Sequence, residues 1–135
     1  MVDVRTLAIS NLTFQLLLII FVSGAAYLAK KKELGTHCKV MRGAILVQII
    51  AIAGIMLPSM FGYVLNVRDS TYLNIEILTH HTLGLAVIAL WVYINLVFLG
   101  KVKTKIRLVT FMRAAFLLWV SSLLLGLHLY TRIYL

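Results

Sequence analysis

Four histidines carry most of the chemical potential of this sequence: His37, His80, His81 and His128. All but His37 fall inside long apolar stretches, where ionisable groups are costly and tend to mark function. On a helix His80 shares a face with Gly84, Val87, Ile88, Trp91 and Asn95, whereas His81 shares one with Leu85, Ile88 and Val92. The first face carries a small residue and an amide, as helix–helix contacts in membranes do. His80 is therefore expected to point inward and His81 toward lipid. Imidazoles on two facing helices are the usual means by which a membrane bundle holds haem b. Two axial histidines would make a low-spin electron-transfer centre with no open position. His80 and His128 are the expected pair, with His81 as the neighbouring candidate. Gly84, one turn deeper, would let a flat macrocycle approach the backbone. The plainer alternative is that these side chains sit wet at the interface or hydrogen-bond a neighbouring helix.

Soft-metal chemistry is a second possibility. Met56 and Met60 lie one turn apart around Pro58, and with His80 and His128 they would form a Met/His set suited to copper. His37, Cys38 and Met41 form another group, in which His37 and Met41 share a helical face at i, i+4. Methionine is equally common as apolar filler. The single cysteine excludes an intrachain disulfide. No phosphate loop, Ser-His-Asp order or paired carboxylate is present. Only Glu76 accompanies the histidines, so an enzyme is the least favoured reading.

The elements that must position these residues follow from composition. Of 135 residues, 62% are hydrophobic and 13% charged, with mean hydropathy +1.02. An ordinary soluble domain has about 25% charged residues, so a water-soluble or disordered chain is excluded. Apolar stretches at about 9–29, 41–64, 73–100 and 108–130 each suffice to cross the hydrocarbon as a helix. The expected fold is all-α: one transmembrane domain, an integral membrane up-down four-helix bundle. No internal repeat is apparent. Asp3 and a lone Arg5 precede the first apolar run, and no small-residue cleavage site follows it, so it reads as a retained span.

The net charge of +9 is one-sided. The first loop and its flanks hold Lys30, Lys31, Lys32, Lys39 and Arg42 with Glu33, and the third holds Lys101, Lys103, Lys105, Arg107 and Arg113. The other side sets Arg5, Arg68 and Arg132 against Asp3, Asp69 and Glu76. Positive-inside logic places the two basic loops in the cytoplasm of a multi-pass cell-membrane protein. Both termini and the loop at 66–72 then lie outside. The basic side explains itself by topology and anionic lipid, so nucleic acid is not an expected partner. By helical rise His80 lies about 31 Å from Lys101, and His128 about 22 Å from Arg113. Both are thus near the outer face, and His37 is at the cytoplasmic entry to the second span.

Other polar groups read as structural. Pro58 is expected to kink the second span, with Ser59 and water absorbing the lost bond. Asn11, Thr13, Gln15, Gln48, Ser121 and Ser122 read as interhelical hydrogen-bond glue. Trp91 and Trp119 sit too deep for an aromatic belt, while Tyr72, Tyr130 and Tyr134 suit the outer interface.

The whole pattern resembles the family called domain of unknown function 420 (YozB-like). Asn11-Leu12-Thr13 opens a span that ends in lysines, and His37, three residues, then Met41 opens the next, which ends Ile55-Met56-Leu57-Pro58-Ser59. Leu78-Thr79-His80 with Gly84 resembles the third span, and Trp119, Gly126 and Tyr130 the last. The likeness covers nearly all the chain and is closer to archaeal-looking members. It implies a four-span bundle associated with respiratory oxidases, and some members look like maturation factors for haem–copper oxidases. The family's histidines carry over as His37 and His80. Many members have another just before the last span, where this chain reads Lys103-Thr104-Lys105-Ile106-Arg107. His128 is not part of that pattern.

The expected function is that of a small membrane protein of a respiratory chain. It would bind haem b or a metal near the outer face, for electron transfer or oxidase maturation. A cofactor-free structural subunit of a larger membrane complex and a copper-handling protein are the alternatives.

Overall fold

The computed structural model describes residues 4–58, 61 and 71–135. Met60, Ser59, Asp3, Arg68 and Asp69, with most of the loop at 66–72, lie outside the described residues. The fold is all-α, with no strand among the described residues. Its helices are α1 (Val4–Lys30), α2 (Leu34–Ala51), α3 (Thr71–Phe98) and α4 (Leu108–Tyr134), and a π-helical segment, Ile52–Met56, continues α2. Four helical stretches, Arg5–Lys30, Leu34–Met56, Thr71–Phe98 and Leu108–Ile133, are long and apolar enough to cross a membrane.

The chain forms two compact units, Met1–Arg68 and Asp69–Leu135. Each contains one helical hairpin closed by a basic turn. Both turns use the same device. After α1, Lys32 N–H bonds the Ala29 carbonyl at 3.1 Å and Glu33 N–H reaches back to Leu28 at 3.0 Å. After α3, Gly100 N–H bonds Val97 and Lys101 N–H bonds Leu96, both at 3.0 Å. This pair of bonds is the Schellman arrangement, which requires a left-handed residue at its corner. Gly100 supplies φ +71° without strain, whereas Lys32 takes φ +65° with a side chain attached.

In the first hairpin α1 packs on α2. Gln15, Leu18, Val22 and Ala25 are buried on α1, as are Ala44, Gln48 and Ile52 along the second arm. Gln15 Nε2 donates to Gln48 Oε1 at 2.8 Å. Both amides are nearly inaccessible, at 7% and 5%, so here the polar pair joins the two helices as the sequence suggested. Such bonds are worth about 0.6 kcal/mol on average in a membrane. The second arm begins earlier than the apolar run does. α2 starts at Leu34, so His37 lies in its first turn, and His37 Nδ1 donates to the Ala25 carbonyl at 2.7 Å. Near its far end the helix loosens. Leu57 N–H bonds the Ile52 carbonyl five residues back. Proline lacks an N–H and crowds the carbonyl four residues earlier, and the wider π turns stand just before Pro58. The expected disturbance at Pro58 thus takes the form of a change in hydrogen-bond register.

The second hairpin packs α3 on α4. Val87, Trp91 and Ile94 are buried on α3, and Ala115, Trp119, Ser122 and Leu129 on α4. The two tryptophans meet edge to face, with centroids 5.0 Å apart at 88°. That explains why they sit deeper than a belt would. Tyr93 and Phe111 meet similarly nearer the turn, also at 5.0 Å. The second arms of the hairpins share a pattern: Met41-Arg42-Gly43-Ala44 on α2 and Met112-Arg113-Ala114-Ala115 on α4. Ala44 and Ala115 are both buried, so a short likeness between the hairpins does exist. Elsewhere large apolar side chains point outward, among them Leu17, Ile20, Ile50, Leu78 and Leu117. In a membrane-spanning helix these face lipid or a partner span.

Candidate functional site

The open end of the second hairpin gathers Glu76, His80 and His81 of α3 with His128 and Arg132 of α4. His80 leans across to α4, where its Nδ1 donates to the Ser122 carbonyl at 2.9 Å. Ser122 Oγ in turn donates to the His80 carbonyl at 3.4 Å. One turn further along α4, a Cβ added to Gly126 would stand 2.9 Å from His80 Cε1 and 3.7 Å from Nε2. Ser122 and Gly126, at i, i+4, therefore form the seat for the imidazole. A carbonyl can only accept, so Nδ1 carries the hydrogen and Nε2 is the acceptor of the neutral ring.

Glu76 lies one turn before His80 on the same face of α3. Its Oε1 accepts from Arg132 at 2.8 Å, and His128 Nε2 stands 3.7 Å away. His128 and Arg132 are themselves one turn apart on α4, so the antiparallel register places them together beside Glu76. The Glu76 side chain is 26% exposed and that of His128 56%. The second carboxylate oxygen, Oε2, is buried and has no hydrogen-bond partner among the described residues. His81 is half-buried rather than fully turned outward. It bonds its own helix through Nδ1 to the Ile77 carbonyl at 2.7 Å and meets the His80 ring edge-on at 5.4 Å.

The other expected residues are elsewhere. Gly84 is half-buried on α3, but the glycine against His80 is Gly126. His37, Cys38 and Met41 are half-buried on α2 in the first hairpin, with His37 Nδ1 engaged by Ala25. Met56 is half-buried in the π segment, and Met60 lies outside the described residues. Among the described residues no three of His, Cys, Asp and Glu are grouped as a metal site requires.

The fit of haem b to His80 and His128 can be judged from this geometry. A macrocycle between two imidazoles needs both Nε2 atoms end-on to one plane, with the helices held apart by it. The His80 ring instead rests on the backbone of α4, and His128 Nε2 is turned to Glu76. The pair so arranged does not fit a macrocycle held between these two helices. Sequence reasoning missed Glu76–Arg132 and the Gly126 seat, because both depend on the register of α3 against α4.

No protein-family model, curated protein or solved structure matches this chain.

Proposed function

We propose that this chain is a small multi-pass membrane protein of a respiratory chain, acting in oxidase maturation as an assembly partner without a resident haem between α3 and α4. The seat of His80 on Ser122 and Gly126 carries this reading, because it uses the most conspicuous histidine to join two helices directly. The oxidase association rests on the family resemblance. The large apolar side chains on the outward faces suit lipid and partner spans. The four spans cross up and down, with both basic turns in the cytoplasm and the Glu76–His80 end of the second hairpin outside. One observation favours a bound metal instead. A histidine whose Nδ1–H is held by a carbonyl presents Nε2 as metal-ligating histidines do.

The test is removal of the chain from its native membrane, followed by measurement of assembled oxidase and its haem spectrum. Loss of mature oxidase, restored by the wild-type chain and by His128→Ala, is expected. Unchanged oxidase would overturn the proposal.

A further inference from the structure

We infer that the Glu76 end of the second hairpin is a binding site for a quinol headgroup, a flat dihydroxy ring delivered from the bilayer. Glu76 Oε2 is buried and has no hydrogen-bond partner among the described residues. A buried acceptor without a donor is costly, and proteins almost always satisfy it with protein, water or ligand. Oε1 of the same carboxylate is already taken by Arg132. One turn deeper on the same face, His80 Nδ1 is fixed to the Ser122 carbonyl, so Nε2 is a second acceptor. The two acceptor-bearing residues thus lie one turn, about 6 Å, apart along the helix axis. The complement is a ligand with two donors at opposite edges.

Charge narrows the class further. Arg132 balances Glu76 at 2.8 Å, so a neutral ligand suits the site better than a cation. The His80 and His81 rings, edge to face at 5.4 Å, add aromatic surface one turn from Glu76. Both acceptors belong to a helix apolar enough to span a membrane, and a ligand reaching them is best dissolved in lipid. A hydroquinone with a hydrophobic tail meets each requirement. Its oxidised form, which only accepts hydrogen bonds, does not. No electron transfer is needed for recognition. This site stands whether or not the chain assists an oxidase.

The experiment uses the full chain in nanodiscs with three probes: duroquinol kept reduced under anaerobic conditions, duroquinone, and the dimethyl ether of duroquinol. Equilibrium binding is read by quenching of Trp91 and Trp119, the only two tryptophans in the chain, and by the shift in thermal unfolding midpoint. Duroquinol is expected to bind at least about tenfold more tightly than either probe lacking hydroxyl donors. Glu76→Gln should lower duroquinol affinity by about tenfold, while Thr82→Val, on the exposed face of α3, should leave it unchanged. Equal binding of the three probes, no binding of duroquinol, or undiminished binding by folded Glu76→Gln would overturn the inference. Should Glu76→Gln fail to fold, the three-probe comparison on the wild-type chain decides alone.

Discussion

His80 rests on Gly126: a single methyl group at position 126 would stand 2.9 Å from the imidazole Cε1. The contact joins residues far apart in sequence and closes α3 on α4 at that level. With the Nδ1 bond to Ser122 it makes the glycine, the carbonyl and the ring one mechanical unit.

Gly126→Ala should therefore destabilise the second hairpin by about 1–3 kcal/mol, the usual cost of overpacking a tight contact. Gly126→Ala combined with His80→Ala should cost less than the two single changes together, because the clash needs both partners. Reversible unfolding in mild detergent, followed by fluorescence of Trp91 and Trp119, measures the cycle.

The buried amide pair makes a different prediction for the first hairpin. Gln48→Leu removes the acceptor of the Gln15 Nε2 bond and should cost about 1–2 kcal/mol, whereas Gln15→Leu with Gln48→Leu should cost less than the two single changes together. The same unfolding measurement, with a probe on Cys38, distinguishes these outcomes.

Lys32 holds a left-handed corner that Gly100 holds freely in the other turn. Lys32→Gly should raise stability by about 1 kcal/mol, and Gly100→Ala should lower it by about the same amount. Opposite shifts in unfolding midpoint are the expected signature.

Orientation is tested by the chain's only cysteine. Cys38 lies beside the first basic turn, in the early part of α2. A membrane-impermeant maleimide should leave it unlabelled in intact cells and label it after permeabilisation. Labelling in intact cells would contradict the proposed topology.

Much of the architecture is legible in the sequence. Apolar length indicates the four helices, and Gln15 and Gln48 read as interhelical hydrogen-bond groups, although their pairing with each other emerges only in the structure. The inward direction of His80 followed from the small and polar residues on its face. What escaped was register. Nothing local in the sequence tells that position 80 meets 122 and 126, or that Glu76 meets Arg132 across 56 residues. Gly84 was the natural glycine to choose because it is near in sequence, but Gly126 is near in space. The early start of α2 was hidden because Leu34–Val40 is polar. A polar first turn is still helical when its backbone bonds are made, as His37 N–H to the Glu33 carbonyl at 3.0 Å shows. The π segment is likewise a backbone response to Pro58 that side-chain periodicity does not encode.

The visible spectrum of the protein purified from its native membrane in mild detergent, recorded reduced minus oxidised, tests the central claim most directly. The packing of His80 on α4 predicts no stoichiometric haem bands, and no change in the spectrum on His80→Ala. Split bands at one haem per chain, abolished by His80→Ala and by His128→Ala, would contradict it.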